Sequence, residues 1–132
     1  MMTVFSKIAS GELPSYKVAE DDNFFAFLDI RPLTAGHTLV VPRKTENDYL
    51  FSLDNETYSG LLLFAKRVAA ALEKAVPCRR IGMMVLGMEV PHAHIHLVPL
   101  QKESDMNLIN KKLNLSPEEM QAIAEKIFKN FS

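Results

Sequence analysis

The sequence predicts an α+β domain in which a five-stranded, mostly antiparallel sheet packs against one long helix and one C-terminal helix. Short runs rich in Val, Ile and aromatic residues alternate with turn-forming residues, as strands require. Two longer segments carry apolar residues at helical spacing. With 132 residues, 48% of them hydrophobic, the chain can build one core. We therefore expect a single domain over residues 1–132, with its core in residues 3–100 and a helical extension in residues 101–132.

The first three predicted strands lie in the first third of the chain. Tyr16–Glu20 and Phe24–Asp29 are short runs that carry aromatic residues and Val, and the turn-forming residues Asp21–Asn23 separate them. This arrangement predicts a β-hairpin. His37–Val41 is the third predicted strand, because a glycine precedes it and a proline follows it.

The two predicted helices have recognisable starts. Ser52 and Asp54 both offer an N-cap for a long helix that runs to about Val76, where a proline ends it. The C-terminal helix begins at Ser116–Glu119, a capping box with proline at the first helical position. The residues predicted to lie on the buried face of the long helix are Leu61, Ala65, Val68, Leu72 and Ala75.

The last two predicted strands are Ile81–Leu86 and His92–Val98. Three of the protein's 4 histidines, His92, His94 and His96, alternate along the second of these strands. Since successive side chains of a strand point to opposite faces, the three imidazoles are predicted to line one surface. The residues predicted to face the core from the other surface are Ala93, Ile95 and Leu97.

Composition excludes several classes of protein. The 15 basic and 16 acidic residues leave a net charge of −1, so we expect neither nucleic acid nor an anionic membrane as a partner. A single cysteine, Cys78, excludes an internal disulfide framework. No apolar run reaches transmembrane length, and the first ten residues do not form a signal peptide. A cytoplasmic protein is the expectation.

The alternating histidines allow three interpretations. They can form a polar strand face without chemistry, or they can bind zinc, with Glu89 or His37 as a further ligand if the fold brings one close. In the third interpretation one histidine is a nucleophile. Its reference pKa of about 6.5 leaves it mostly neutral near pH 7, with a lone pair available for attack. Its adduct with phosphorus is reactive enough for water to cleave.

The segment His92–Val98 also resembles the histidine-x-histidine-x-histidine motif of the histidine triad (HIT) superfamily of nucleotidyl hydrolases and transferases. Three further segments resemble the blocks that precede this motif in the family: Phe5–Ser15, Phe24–Pro32 and Gly36–Pro42. Together these segments cover most of residues 3–99 in the family's order. The chain is most similar to the small nucleotide-binding, phosphoramidase-like branch.

This resemblance implies a mechanism. His94 would attack the α-phosphorus of a purine nucleoside 5′-phosphoramidate or related ester and form a nucleotidyl-histidine. His96 would bind phosphate oxygens and help the leaving group depart, while His92 and His37 would support the site. The scheme needs neither a metal ion nor another cofactor, since positioning and hydrogen-bond donors carry the catalysis.

The resemblance also implies a nucleotide pocket for a purine mononucleotide or its phosphoramidate or ester. The Asp29 carboxylate would accept hydrogen bonds from the two ribose hydroxyls. The wall around the base would be formed by Phe5, Ile8, Phe27, Leu28 and Ile30.

The sequence departs from the family pattern just before the histidine motif. Met88 replaces the glutamine that many members carry there, and Glu89 replaces a hydroxyl that would donate to the α-phosphate. A carboxylate beside a phosphate is unfavourable, so Glu89 points away, is protonated, or acts on the leaving group or attacking water. These departures keep open a nucleotide-binding or regulatory protein of low activity, and a zinc-dependent hydrolase is a third alternative.

Three other expectations concern a structural zinc ion and the quaternary structure, both from the resemblance, and the polar segment after the histidine motif. Some members hold a structural zinc ion, but the matching positions here are Thr3, Ser6 and Thr45, so we expect that site to be missing. The family forms twofold homodimers in which the two sheets join into one. The apolar face Leu61–Phe64 of the long helix agrees with burial against a partner, or all four residues belong to the core of the monomer. The polar segment Lys102–Asn114 is expected to be a flexible connector.

Overall fold

The computed structural model describes residues 3–45 and 47–132. Within them the chain forms five strands: β1 (Lys17–Glu20), β2 (Phe24–Leu28), β3 (Thr38–Pro42), β4 (Arg80–Met84) and β5 (Ile95–Leu100). It also forms three α-helices: α1 (Val4–Ser10), α2 (Asn55–Ala75) and α3 (Pro117–Asn130). Two short 3-10 helices cover Leu50–Ser52 and Glu103–Met106. No helix among the described residues has the length and apolar character needed to span a membrane.

The five strands form one sheet in the order β1-β2-β3-β5-β4, and every neighbouring pair is antiparallel. The first three strands follow one another as a meander. The chain then crosses the sheet through α2, forms β4 at the far edge, and returns as β5 between β3 and β4. The α+β class and the five-stranded antiparallel sheet are thus confirmed.

The sheet is covered on both faces, because alternate residues of its strands pack in different directions. On β2, Phe24 and Leu28 face a core shared with α2 and α3. Phe25 and Phe27 face a second cluster with Phe5 of α1. Every residue of β2 and β3 is consequently buried.

The predicted helix starts are confirmed. The side chain of Asp54 caps α2 by accepting a hydrogen bond from Thr57 N–H at 2.9 Å. Ser52, the other candidate, lies in the preceding 3-10 helix. Ser116 and Glu119 form the predicted reciprocal capping box of α3. Both long helices therefore begin where local chemistry satisfies their free N–H groups.

Helix α1 is absent from the predicted elements. It has only 7 residues, too few for a clear apolar period, although Thr3 and Ser6 form a capping box and Gly11 ends it with a φ of 88°. Its buried residues Phe5 and Ala9 pack on the sheet. A helix this short depends on such tertiary contacts, which local sequence does not reveal.

The predicted histidine strand is displaced towards the C-terminus. Strand β5 begins at Ile95, so His96 lies on it while His92 and His94 precede it. The reason is that Ala93 N–H donates to the Asn47 carbonyl, which ties this segment to a loop and not to a neighbouring strand. The predicted core residues of this segment are nevertheless buried: Ala93, Ile95 and Leu97.

Two other segments have structural features that their composition alone does not predict. Of the apolar stretch on α2, Leu61 and Phe64 are buried in the chain's own core, whereas Leu63 is 64% exposed. The polar segment after β5 holds the second 3-10 helix, and Leu113 N–H donates to the Pro32 carbonyl at 2.9 Å. That bond ties the end of the polar segment to the loop between β2 and β3.

Candidate active site

All four histidines converge around the ends of β3 and β5. His37 precedes β3, and its Nε2 lies 3.0 Å from Nδ1 of His96 on β5. The ring of His94 lies 5.0 Å from that of His96, measured between centroids. The backbone carbonyl of His92 lies 2.8 Å from Nδ1 of His94. The three histidines of the motif are therefore joined by the fold to the fourth, which is distant in sequence.

The environment of His94 determines which of its nitrogens is available. The carbonyl of His92 can only accept a hydrogen bond, so Nδ1 of His94 must carry the proton. In the neutral ring the lone pair then resides on Nε2. The Phe5 ring packs against the imidazole in a T-shaped contact, with centroids 5.1 Å apart, and limits its rotation. This arrangement prepares Nε2 to act as a nucleophile.

A backbone donor sets the tautomers of His37 and His96 in the same way. Leu33 N–H can only donate, and it donates to Nδ1 of His37 at 3.0 Å. The proton of the neutral His37 ring is therefore on Nε2, from which it is donated to Nδ1 of His96. His96 consequently carries its own proton on Nε2, which is free to donate to a ligand.

The charge state of His96 follows from its surroundings. Burial, together with the neighbouring rings of His94 and His37, lowers the pKa of His96 to about 4. Burial also lowers the pKa of His37, although the carboxylate of Asp29 opposes this effect. Both rings are therefore neutral near pH 7, and each acts as one hydrogen-bond donor and one acceptor.

His92 has both ring nitrogens occupied by the protein. Its Nε2–H donates to the Pro42 carbonyl at 2.7 Å, and its Nδ1 lies 2.6 Å from the hydroxyl oxygen of Thr3. The side chain is completely buried, and burial is the main reason that its pKa is lowered. His92 can thus support the site but cannot reach a substrate.

Asp29 lies at the end of β2, beside the start of β3. Its backbone N–H donates to the His37 carbonyl, and its Oδ1 accepts a hydrogen bond from Arg31 N–H at 2.8 Å. Its Oδ2 is 3.7 Å from Nε2 of His37. The carboxylate is partly exposed, so it offers an acceptor to a ligand next to the histidines.

The side chains of Asp29, His37 and His96 are close enough to raise the question of a metal ion, with ligand atoms within 4.8 Å of one another. A metal on Nε2 of His37 would displace the proton held there. The ring could stay neutral only if that proton moved to Nδ1, where Leu33 N–H already donates. The hydrogen bonds of His37 therefore fit a proton held between His37 and His96, and they do not fit a metal ion.

The residues that the resemblance assigns to the wall around the base lie on different faces of the sheet. Phe5 contacts Phe27 with ring centroids 5.4 Å apart, and Ile8 packs against the same cluster. Leu28 lies in the core on the opposite face of the sheet, because neighbouring residues of β2 alternate. We therefore do not place Leu28 in this wall. Ile30 is 75% exposed in the turn after Asp29.

The two departures from the family pattern lie on an exposed loop. Met88 and Glu89 are both exposed. The loop passes close to the segment before α2, since a Cβ added to Gly87 would lie 3.1 Å from the Asp48 carbonyl. Thr45, one position suggested for a lost zinc ligand, bonds within its own loop to Asn47 N–H at 3.0 Å.

Three groups that shape the site could not be identified from sequence. They are the hydroxyl of Thr3, the N–H of Leu33 and the carbonyl of Pro42. Two of them are backbone groups, which every residue offers, so nothing in the sequence distinguishes them. The third belongs to a helix cap, and only the fold brings it to His92.

The HIT domain family model matches residues 10–103. A HIT-like protein of Borreliella burgdorferi is 37% identical over 135 residues, covering 96% of both chains. An adenosine 5′-monophosphoramidase of Schizosaccharomyces pombe is 32% identical over 130 residues, again covering 96% of both. The crystal structure of a HIT-like protein from Bartonella henselae has a TM-score of 0.81 at 30% identity, covering 98% of this chain and 96% of that one. On this match of motif, sequence and fold, the chain belongs to the HIT family.

Proposed function

We propose that this protein is a nucleotide hydrolase or transferase that cleaves a phosphorus–nitrogen or related bond at the α-phosphate of a purine nucleoside 5′-phosphate derivative. The observation that carries the proposal is the hydrogen bond from Nδ1 of His94 to the His92 carbonyl. With Nδ1 protonated, the lone pair of the neutral ring is on Nε2, beside a second ring, His96, that donates a hydrogen bond. The phosphoramidase name of the fission-yeast relative supports the choice of substrate.

In the first step, Nε2 of His94 attacks the α-phosphorus while the phosphorus–nitrogen bond breaks. The bonding pair leaves with the amine, which takes up one proton from solvent. Because Nδ1 keeps its proton, the nucleotidyl ring carries a positive charge, and the His92 carbonyl stabilises this charge by accepting the hydrogen bond. His94 is thus the catalytic nucleophile.

His96 acts as a hydrogen-bond donor to the phosphate. Its Nε2–H is aimed away from His37, which occupies its Nδ1. A neutral donor in a partly buried site stabilises the charge that develops on the phosphate oxygens and on the leaving nitrogen. His37 keeps that donor in place, so its role is positioning.

The second step returns the enzyme to its starting state. A water molecule attacks the phosphorus, and the bond between phosphorus and Nε2 of His94 breaks with its electron pair returning to the ring. The products are a nucleoside monophosphate and one proton. In a transferase reaction another nucleophile takes the place of water. No metal ion or other cofactor enters either step of this scheme.

Asp29 and the aromatic cluster supply the nucleotide-binding part of the proposal. The partly exposed carboxylate of Asp29 accepts hydrogen bonds from the ribose hydroxyls. Phe5, Phe27 and Ile8 supply apolar side chains for the wall around the base, and Ile30, which is 75% exposed in the turn after Asp29, is a further candidate for this wall. Glu89 lies on the exposed loop that precedes the motif.

The test is release of AMP from adenosine 5′-phosphoramidate by the purified protein. We expect turnover by the wild-type protein and none above background for a His94→Asn variant. Binding of AMP without any release would support the alternative of a nucleotide-binding or regulatory protein. Activity that disappears with a chelator and returns with zinc would contradict the proposed mechanism.

We further infer that the protein forms a twofold homodimer through the edge of β4. Among the residues that the structure describes, no strand pairs with the outer side of β4, and Met83 on it is 56% exposed. An exposed apolar edge strand favours pairing with another strand, which would join two sheets into one. Sedimentation velocity should give a dimer for the wild type and a monomer for Met83→Lys, whereas a monomeric wild type would contradict the inference.

A further inference from the structure

We propose that Thr3 is a positioning residue of the active site, which holds the His92 ring, and with it the backbone carbonyl that orients His94, in place. This inference rests on the proposed function, since it assigns Thr3 a part in aiming the nucleophile. The family model matches residues 10–103, so Thr3 lies outside the segment that carries the family's motif.

The directions of the hydrogen bonds around Thr3 agree with one another. Ser6 N–H donates to the Thr3 hydroxyl oxygen at 3.0 Å, as the cap of α1 requires. The single hydroxyl proton of Thr3 has two acceptors within reach, Nδ1 of His92 at 2.6 Å and the Ser6 hydroxyl oxygen at 3.3 Å, and the shorter bond to His92 is the stronger one. That nitrogen carries a lone pair, because the proton of the ring is on Nε2 and is donated to the Pro42 carbonyl.

Burial makes this hydroxyl hard to replace. His92 is completely buried and Thr3 is nearly so, so water does not substitute for a missing donor at Nδ1. A buried nitrogen without its donor is unfavourable. Because the Pro42 carbonyl keeps the ring proton on Nε2, we expect the ring to change its orientation, and this change moves the backbone carbonyl of the same residue.

The carbonyl of His92 is the link from Thr3 to catalysis, because it holds Nδ1 of His94 at 2.8 Å. Helix α1 makes a second contact with the nucleophile through the ring of Phe5, two residues after Thr3. Phe5 also packs against the ring of His92, with centroids 5.9 Å apart. Thr3 therefore fixes both the hydrogen-bond acceptor and the aromatic ring that restrict His94.

The experiment compares Thr3→Val, which removes the hydroxyl at nearly constant volume, with Thr3→Ser, which keeps it. Ser116→Ala is the matched control, since it removes the equivalent N-cap of α3 away from the histidines. The tautomer of each histidine is read from its ring nitrogens by ¹H–¹⁵N NMR. Turnover of adenosine 5′-phosphoramidate and the melting temperature are measured on the same samples.

We expect His94 of the wild type to be protonated on Nδ1 alone, and His94 of Thr3→Val to be a mixture of tautomers. For Thr3→Val, kcat should fall by about tenfold or more, with a smaller change in KM. Thr3→Ser should restore both properties. Ser116→Ala should lower the melting temperature while leaving kcat and the His94 spectrum unchanged.

A Thr3→Val protein whose His94 keeps the wild-type NMR pattern would overturn the proposal, whatever its stability. The NMR comparison does not depend on turnover. A wild type that fails to cleave the substrate, but loses the His94 pattern on Thr3→Val, would contradict the proposed function and support the positioning role. Normal turnover by the wild type, together with an unchanged His94 pattern in Thr3→Val, would support the proposed function and contradict the positioning role.

Discussion

The protonation pattern of the active site is determined by groups that cannot change their own hydrogen-bonding role. The Leu33 N–H only donates, and the carbonyls of His92 and Pro42 only accept. Each of these groups therefore dictates where the proton sits on one imidazole. The consequence is that Nε2 of His94 is the nitrogen available for attack, while His96 presents a hydrogen-bond donor from a neutral ring.

At the level of single residues, replacement of Asp29 by Asn tests the nucleotide pocket. The amide keeps an oxygen for Arg31 N–H but loses the charge that strengthens hydrogen bonds to ribose. We expect the affinity for AMP, measured by calorimetry, to fall by about 10- to 100-fold, since hydrogen bonds to a charged group are each worth about 1.5–3 kcal/mol.

The control for this prediction is the 2′,3′-dideoxy form of AMP, which lacks the hydroxyls that Asp29 would bind. Its affinity should change by less than about threefold between the wild type and Asp29→Asn, since every other contact is the same. An equal loss of affinity for both nucleotides would contradict the assignment of Asp29 to the ribose.

Among the elements, the turn before β3 brings the distant His37 to the motif. His37 N–H donates to the Thr34 carbonyl to close this turn. Gly36 within it has a φ of 93° and packs tightly, since an added Cβ would lie 3.0 Å from Val76 Cγ2 and 3.2 Å from Pro99 Cγ. The turn therefore needs glycine for two independent reasons.

These two reasons can be separated with a second glycine. Gly11 at the end of α1 has a similar φ of 88°, but nothing lies within 4 Å of an added Cβ. Gly11→Ala should lower the free energy of unfolding in urea by about 1–2 kcal/mol, the backbone cost alone. Gly36→Ala should lower it by a further 1–3 kcal/mol or so, because the added methyl group also overpacks the site. Equal losses would contradict the packing argument.

Local chemistry explains which elements could be predicted from sequence. The capping residues Asp54 and Ser116 begin α2 and α3 because they satisfy free N–H groups with their own side chains. The start of β5 could not be predicted, since it depends on the bond from Ala93 to Asn47, residues far apart in the chain. Helix α1 was missed for a similar reason, because its stability comes from packing Phe5 on the sheet.

For the molecule as a whole, the burial of histidines makes stability depend on pH. Burial lowers the pKa of His37, His92 and His96, the last to about 4. In the unfolded chain these rings titrate near pH 6.5 or so. Between these values the unfolded state binds protons that the folded state does not, so the free energy of unfolding falls as the pH is lowered through this window.

We expect urea denaturation to give a lower free energy of unfolding at pH 5 than at pH 7. His96 alone should contribute about 1 kcal/mol to this difference, after allowance for the screening of a partly exposed ring. His96→Asn should therefore reduce the pH dependence. A variant with the same pH dependence as the wild type would contradict the lowered pKa of His96.

How much of the candidate site could be predicted from sequence depends on whether a role belongs to a side chain or to its surroundings. The motif places His94 and His96 together, and the fold adds His37, which the sequence could only suggest. Leu28 was wrongly expected beside the base, because the alternation of β2 turns it towards α2 and α3. The groups that select each tautomer become visible only in three dimensions.

The most direct test of the central claim is to trap the covalent intermediate. The protein is mixed rapidly with adenosine 5′-phosphoramidate and quenched in alkaline denaturant within the first turnover, because phosphorus–nitrogen bonds break readily in acid. Intact mass and peptide mapping then locate any adduct. We predict one adenylyl group on His94 and none in His94→Asn. AMP formed without an adduct, or an adduct on His92 or His96, would contradict the account.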